Sequence, residues 1–180
     1  MGRKSAEVLL DIHKIPVQEK GEDWIERFAQ KIRVRMDELP KALYACSDIS
    51  FLFKFLNDNL FLLQHRIQCF NHGDYNPGNL IASEDGKLYV IDFNCYNLGY
   101  GDAIFELSVI LLDENLSSSY KNGLLDTYFP QGLPKNFNRI MELYAAYGAL
   151  SGLCECGEAE RAFNQMQGLA QRLQTVHTPV

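Results

Sequence analysis

The chain lacks the features that would mark it as a membrane or nucleic-acid-binding protein. No apolar run approaches the ~20 residues of a membrane-spanning helix. Acidic residues outnumber basic ones by 23 to 17, giving a net charge of −6, whereas a nucleic-acid binder shows a basic face. Because 47% of the residues are apolar, the composition is that of a globular chain. We therefore expect no nucleic-acid partner and no membrane partner.

Cysteines are few, and their number is odd. No charged leader followed by an apolar segment opens the chain, since Glu7 and Asp11 come early. Together these features predict reduced thiols and a cytoplasmic location. A metal site at Cys154, Cys156 and His177 is not expected, because the spacing is C-x-C without a second pair. The five cysteines are Cys46, Cys69, Cys95, Cys154 and Cys156.

Glycine-rich phosphate-binding loops are also missing. Neither Gly-x-Gly-x-x-Gly nor Gly-x-x-x-x-Gly-Lys occurs in the chain. The early lysines do not lie in β-branched, strand-like runs that could present an amine to a nucleotide; these are Lys4, Lys14, Lys20 and Lys31. The sequence therefore offers no phosphate-covering loop of its own.

A hairpin with polar residues at its open end is present. The apolar runs at Leu80–Ser83 and Leu88–Ile91 flank Asp85-Gly86, a strong turn signal. A turn centred on that dipeptide would place Asn79 directly opposite Asp92. Directly opposed residues have Cβ atoms ~4.5–5.5 Å apart, so an amide oxygen and a carboxylate could share one Mg²⁺. The alternative is that two polar residues simply end a hairpin.

The spacing around the hairpin has a family resemblance. Residues 72–79 read HGDYNPGN, and Asp92 follows Asn79 by thirteen residues at the end of a β-branched run. This pattern resembles the aminoglycoside phosphotransferase/choline kinase-like family, which has a protein-kinase-like fold. Gly101-Asp102 with Glu106-Leu107 resembles that family's Gly-Asp-x-x-x-Asp-Leu, with Glu in place of Asp. Residues 6–16, which contain Leu-His-x-x-Pro-like spacing, are similar to a helix end in the family.

The resemblance implies a role for each residue of this segment. Asp74 would accept or orient the hydrogen of an acceptor hydroxyl, although an Asx-turn residue is the structural alternative. Asn79 and Asp92 would hold Mg²⁺, with ATP as the phosphoryl donor. His72 would be a scaffold residue bonded to backbone, and Asp102 would cap a helix and clamp the catalytic loop.

The acceptor is less well defined by the residues. The resemblance implies a small hydroxylated substrate. An acidic cluster at Glu155, Glu158 and Glu160 would suit a cationic one, and a solvated helix N-terminus is the alternative explanation of that cluster. His13, His65 and His177 are isolated in the sequence and receive no chemical role.

The predicted fold class is α+β and mainly helical: a single domain over residues 1–180. It corresponds to the C-terminal lobe of a protein-kinase-like (aminoglycoside phosphotransferase-like) fold, with a catalytic-loop β-hairpin at about 79–92. The N-terminal nucleotide-binding lobe is expected to be absent. Asp23 is the expected cap of the second helix, and Phe93 is expected in the core. The predicted helices span 6–12, 23–36, 48–64, 102–112, 117–128, 134–152 and 158–175, with a strand at 67–70.

Two functions fit this sequence. The first is the substrate- and metal-binding lobe of an ATP-dependent small-molecule O-phosphotransferase, inactive as an isolated lobe. The second is a non-catalytic kinase-like binding or interaction module. An uncovered apolar face near the hairpin would favour self-association or a separate N-lobe as partner. A hydrolase is less supported, because no nucleophile or second metal cluster accompanies the carboxylates.

Overall fold

The computed structural model describes residues 1–16, 22–41, 43, 46–94, 99–154 and 159–177. Over those residues the chain is mainly helical, as predicted, and it has four short strands. The helices are α1 (Gly2–His13), α2 (Trp24–Glu38), α3 (Ser47–Asn59), α4 (Ala103–Leu112), α5 (Ser118–Tyr128), α6 (Phe137–Gly152) and α7 (Ala159–His177). The strands are β1 (Gln68–Asn71), β2 (Leu80–Ala82), β3 (Leu88–Val90) and β4 (Gly99–Asp102). Short 3₁₀ helices span Leu60–Leu63 and Pro77–Asn79.

The chain divides into two compact units. The first contains Met1–Gly21 and His65–Phe137, and the second contains Glu22–Gln64 and Asn138–Val180. The loop that contains Asp74 and the residues predicted to bind metal all lie in the first unit. The site can therefore be described from that unit alone.

The first unit is built on an amphipathic α1. Its buried Ala6, Leu9 and Ile12 recur at helical spacing, so one face of α1 enters the core. That core also contains Tyr75, Leu107, Ile110 and Leu124. Glycine is required at position 2, because an added Cβ would lie 2.1 Å from the carbonyl oxygen of Tyr120. This small residue lets α1 pack closely on α5.

Two antiparallel pairs of strands frame the loop. β1 pairs with β4, with Gln68 opposite Asp102 and Asn71 opposite Gly99. β2 pairs with β3 to form the predicted hairpin. The strand at 67–70 was predicted within one residue, but its partner β4 was not, because the Gly99–Asp102 segment contains little of the β-branched pattern that marks a strand.

The predicted register of the hairpin is wrong by one residue. Leu80 lies opposite Val90 and Ala82 opposite Leu88, and Ser83 N–H donates to Lys87 O at 2.9 Å. The turn therefore has three residues, ending in Gly86 with φ +81°, the left-handed conformation that a three-residue hairpin loop requires.

The second unit contains α2, α3, α6 and α7, with an aromatic core. Phe28 is fully buried and packs edge-on against Tyr144, with ring centroids 5.2 Å apart. Trp24 Nε1 donates to Tyr144 Oη at 2.9 Å. The predicted acidic cluster belongs to this unit, but Glu155, Glu158 and the side chain of Glu160 lie outside the described residues.

Several helix boundaries differ from the predicted ones for local reasons. The helix predicted over 48–64 ends at Asn59, and the chain continues as a 3₁₀ turn. The helix predicted from Pro134 begins at Phe137, because Asn136 has φ +62° and cannot be part of an α-helix. Asp23 occupies the predicted N-cap position of α2, but its side chain makes no capping hydrogen bond.

None of the helices in the described ranges is both long enough and apolar enough to span a bilayer.

Candidate functional site

The loop between β1 and β2 is shaped by its own side chains. Asn76 precedes the 3₁₀ turn Pro77–Asn79, and its Oδ1 accepts the N–H of Gly78 at 2.8 Å. Pro77 suits the first position of this turn because its fixed φ is compatible and the missing N–H is not needed there. The sequence Asn-Pro-Gly-Asn therefore folds back locally and returns Asn79 toward Asp74.

Both carboxylate oxygens of Asp74 are held by side-chain amides. Asn76 Nδ2 donates to Oδ1 at 3.0 Å, and Asn79 Nδ2 donates to Oδ2 at 3.1 Å. Asn79 Nδ2 also lies 2.9 Å from the Asp74 carbonyl oxygen. Because the amide nitrogen of Asn79 is used in this way, its Oδ1 is the atom that remains to bind a cation.

His72 is a fully buried bridge between the loop and the hairpin. Its Nδ1 accepts the backbone N–H of Asp74 at 3.2 Å, so the ring proton resides on Nε2. Nε2 then donates to the carbonyl oxygen of Ile91 at 2.9 Å. A neutral imidazole with this tautomer satisfies both contacts. The ring therefore has no free nitrogen with which to act as a base.

Asp92 is anchored on both sides by hydrogen bonds to the loop. Ile91 N–H donates to Asn79 O at 3.1 Å, and Asn94 N–H donates to His72 O at 3.1 Å. Asp92 itself has φ +63°, a conformation that a non-glycine residue adopts at a cost of about 1–3 kcal/mol and that clusters at functional sites. Its side chain is exposed.

The register correction changes how Asn79 and Asp92 meet. Asn79 pairs with Ile91, and not with Asp92, so the two predicted metal ligands are not directly opposed in the ladder. The left-handed turn at Asp92 follows immediately after that pair. The predicted pairing of Asn79 with Asp92 is therefore wrong by one residue, and Asp92 lies in the segment 91–94, which hydrogen bonds join to Asn79 and His72.

Phe93 is not in the core as expected. It is 42% exposed, and its ring lies over His72 with centroids 4.2 Å apart. This contact covers one face of the imidazole, because the segment 91–94 runs alongside the loop. The residue after Asp92 thus shields the histidine from solvent and does not fill the hydrophobic interior.

Asp102 has one of its two expected roles. Its Oδ1 accepts the N–H of Ile104 at 3.1 Å and so caps α4. The same carboxylate forms a bidentate pair with Arg66, at 3.0 Å from Nε and 2.8 Å from Nη2. The backbone amides of His72 and Gly73 in the loop donate to a different carboxylate.

Glu106 is the acceptor for those loop amides. His72 N–H donates to its Oε2 at 3.1 Å, and Gly73 N–H donates to its Oε1 at 2.6 Å. Gly73 has φ +88°, which orients two successive amides toward one carboxylate. The residue that departs from the family pattern, with Glu in place of Asp, therefore holds the start of the loop between β1 and β2 through two backbone amides.

Three residues that received no role belong to the same buried network. His13 Nε2 lies 2.9 Å from Glu106 Oε2, and its Nδ1 is hydrogen-bonded to the hydroxyl of Tyr128. The guanidinium of Arg66 forms an ion pair with the carboxylate of Asp102. The sequence did contain a signal for a role of His13, because it is the histidine of the family-like segment at residues 6–16. Arg66 and Tyr128 carry no sequence pattern that distinguishes them.

Burial changes the pKa values of two groups at this network, Cys69 and Tyr128. Burial, together with the charges of Glu106 and Asp102, raises the pKa of the Cys69 thiol to about 12. Burial also raises the pKa of Tyr128 well above its usual value, with Cys69, Glu106 and Asp102 adding to the effect. Both groups therefore keep their protons at neutral pH, and Cys69 is not a reactive thiol.

The donor set suits one hard cation with few protein ligands. Among the residues that the structure describes, no three His, Cys, Asp or Glu side chains form a metal-binding group. Mg²⁺, however, is commonly bound by one or two protein oxygens together with water and phosphates. The Asn79 amide oxygen and the Asp92 carboxylate fit that chemistry.

An open cleft of about 860 Å³ lies at one end of α1 and α5. Its lining residues include Arg3, Glu7, Ser119 and Asp126. None of the lining residues belongs to the loop 72–79 or the segment 91–94. The cleft is therefore separate from the candidate site.

The fold matches solved kinases of small molecules. Choline kinase LicA from Streptococcus pneumoniae shares 18% identity at TM-score 0.67, over 95% of this chain and 63% of that one. ADP-bound aminoglycoside phosphotransferase APH(2'')-Ib shares 18% sequence identity with a TM-score of 0.65, and the match covers 94% of this chain and 62% of that chain. A choline/ethanolamine kinase family protein from Mesorhizobium loti shares 13% sequence identity with a TM-score of 0.63, and the match covers 99% of this chain and 62% of that chain. The chain thus spans about three fifths of these structures.

Sequence comparison gives the family directly. No curated protein matches the chain significantly. The model of the phosphotransferase enzyme family, APH, matches residues 1–142, which include the loop, the hairpin, Asp92, Asp102 and Glu106. The predicted resemblance is therefore confirmed: the chain belongs to the phosphotransferase enzyme family.

Proposed function

We propose that this chain supplies the acceptor- and metal-binding lobe of an ATP-dependent small-molecule O-phosphotransferase. The observation that carries the proposal is the buried ring of His72, which joins the N–H of Asp74 to the carbonyl of Ile91. One side chain thereby connects the loop residue that would handle the acceptor proton to the segment that would bind metal. A loop that only closed a turn would not need this connection.

Each residue has a distinct task in this proposal. Asp74 orients an acceptor hydroxyl and accepts its hydrogen, while Asn76 and Asn79 hold the carboxylate in one orientation. Asn79 Oδ1 and Asp92 would hold Mg²⁺, which when bound neutralises phosphate charge during transfer. The reaction needs alignment more than covalent chemistry from the protein, and the hydrogen bonds of this loop provide alignment.

The acceptor in this proposal is a small hydroxylated amine. The structural relatives are named for choline, ethanolamine and aminoglycosides, and each of these molecules contains a hydroxyl group and a nitrogen centre. A cytoplasmic location and a single kinase-like lobe over residues 1–180 belong to the same proposal.

The lobe would act together with a nucleotide-binding partner. The outer face of the hairpin exposes Ile81, Tyr89 and Ile91 at 49%, 54% and 44%. These side chains share one face, since Ile81 lies opposite Tyr89 and residues two apart point the same way. We propose that an N-lobe or a second copy of the chain covers this face and that the isolated chain transfers phosphate negligibly.

Metal binding by the chain itself tests the proposal. Mn²⁺, followed by electron paramagnetic resonance, serves as the probe for Mg²⁺. Asp92→Asn should weaken binding about tenfold or more, because one charged ligand is lost. Glu84→Gln is the matched control: it removes the same charge from the exposed turn of the same hairpin and should leave the affinity unchanged.

Phosphotransfer from ATP to choline, ethanolamine and an aminoglycoside is the second arm. Metal binding that depends on Asp92, together with transfer to one of these acceptors in a preparation that includes a nucleotide-binding lobe, supports the proposal. Equal Mn²⁺ affinity in wild type and Asp92→Asn would overturn the metal assignment. Metal binding without transfer to any hydroxylated amine in that preparation would favour a non-catalytic binding module.

A further inference from the structure

Side chains from three helices form a hydrogen-bonded line that ends at the catalytic loop; those of His13 and Glu106 are buried, and Tyr128 is half-buried. Tyr128 of α5 is hydrogen-bonded to His13 Nδ1 of α1, and His13 Nε2 lies 2.9 Å from Glu106 Oε2 of α4. The side chains of His13 and Glu106 are only 5% and 2% exposed. The line ends at the loop, where Glu106 accepts the amides of His72 and Gly73.

The direction of each hydrogen bond follows from the donors available. An ionised Glu106 can only accept, so His13 must donate to it from Nε2–H. Tyr128 retains its phenolic hydrogen, since burial raises its pKa. It can therefore donate to Nδ1 of a neutral His13, and every polar atom in the line is then satisfied. The tyrosine thus selects the histidine tautomer that serves Glu106.

Glu106 needs such support more than a shorter acid would. Its side chain has three rotatable bonds, and it must present both oxygens to two adjacent amides at once. A side chain of this length loses considerable rotamer freedom when it is held in one geometry. The hydrogen bond from His13 Nε2 to Oε2, the oxygen that also accepts the His72 amide, selects that rotamer.

We propose that His13 and Tyr128 are positioning residues that hold Glu106 against the amides of the catalytic loop and thereby align Asp74. The part concerning catalysis rests on the proposed function. The part concerning the two amides does not, because it follows from contacts within the folded chain. Asp74 follows Gly73 directly, so movement of the clamped peptide displaces its carboxylate.

Amide hydrogen exchange at His72 and Gly73, measured by NMR on the whole chain, tests the positioning. His13→Leu should raise exchange at these two amides about tenfold relative to Phe70 in β1, the change expected when a hydrogen bond to a charged group is weakened. His13→Gln should restore protection, because its side-chain N–H can reach Glu106. Tyr128→Phe should give an intermediate effect.

Ile12→Val is the matched control for loss of packing. Ile12 is a buried neighbour of His13 in the same core, and it contributes no polar atom to the line. This variant should lower the melting temperature without selectively raising exchange at the two amides. If His13→Leu does not fold, amide exchange at His72 and Gly73 in the His13→Gln and Tyr128→Phe variants tests the inference.

Activity gives the second readout. In a preparation that transfers phosphate, Tyr128→Phe and His13→Leu should lower kcat with little change in KM for the acceptor, and His13→Gln should recover most of it. Unchanged exchange at both amides in His13→Leu and Tyr128→Phe would overturn the inference even if metal binding is normal. Selective exchange changes without metal binding or transfer would instead uphold the positioning and reject the proposed function.

Discussion

The two units of this chain differ in the interactions found inside each of them. In the first, Glu106, Asp102, Arg66 and His13 form directional hydrogen bonds under the loop. In the second, Phe28 packs among Trp24, Tyr144 and Tyr147, with ring centroids 5.0–5.9 Å apart. Apolar burial is non-directional, whereas charged hydrogen bonds fix orientation. The hydrogen bonds of the first unit therefore fix the orientation of side chains, whereas the ring contacts of the second unit contribute buried apolar surface.

The largest effect should come from the loop itself. In any preparation with measurable phosphotransfer, Asp74→Asn should lower kcat about 10²–10⁴-fold, because the amide keeps the shape but cannot accept the acceptor's proton. Steady-state kinetics and a melting curve should show lost turnover with an intact fold. A kcat close to that of wild type would mean that Asp74 is not the base.

A core substitution in the second unit should have the opposite profile. Phe28 is fully buried, so Phe28→Ala should lower the free energy of unfolding by about 3–5 kcal/mol. Mn²⁺ affinity of the protein that remains folded should not change. Urea denaturation with Phe61→Ala, at a ring that is 58% exposed, provides the control. A similar loss in both variants would contradict the aromatic core.

Breaking the Asp102–Arg66 pair should cost stability in the first unit. Asp102→Ala removes the cap of α4, worth about 1 kcal/mol, and a charge-assisted bond worth about 1.5–3 kcal/mol. Arg66 can still reach water because its side chain is 20% exposed, which limits the loss. Urea denaturation measures the sum. A loss below about 1 kcal/mol would show that neither contact matters much.

A pair of glycine substitutions separates conformation from packing. Gly86→Ala should destabilise the first unit by about 1 kcal/mol, because φ is +81° there. Gly148→Ala, within α6 and with no atom within 4 Å of the new Cβ, should stabilise by about 0.5–1 kcal/mol. Thermal melts of the two variants should therefore shift in opposite directions. Shifts of the same sign would contradict the three-residue turn.

The effect that is smallest at neutral pH concerns the thiol of Cys69. The pKa of Cys69 is raised from 9.0 to about 12 in the folded protein, so between these values only the unfolded chain loses the proton. The stability contributed by the buried thiol is full below about pH 9 and falls as pH rises toward 12. Cys69→Ala should flatten this part of the stability profile, measured by urea denaturation at several pH values. An unchanged slope would contradict burial of the thiol.

Much of the site was predictable because its signals are local. The turn at Asp85-Gly86 and the cap at Asp102 depend on neighbouring residues, and the spacing of Asp74, Asn79 and Asp92 can be read directly along the chain. The register was missed by one because the turn uses Glu84 as a third residue. The helix predicted over 134–152 begins only at Phe137 because Asn136 has a left-handed backbone conformation. The neighbouring residues in the sequence do not specify that conformation.

The sequence by itself determined the family, the hairpin and the identity of the loop carboxylate, since these follow from spacing along the chain. Only the tertiary structure decided which acid clamps the loop. Glu106 lies 34 residues from His72, and His13 lies 93 residues from Glu106. Their hydrogen bonds depend on how α1, α4 and β1 pack around a shared core, and no local propensity encodes the distance between side chains that the chain brings together only on folding.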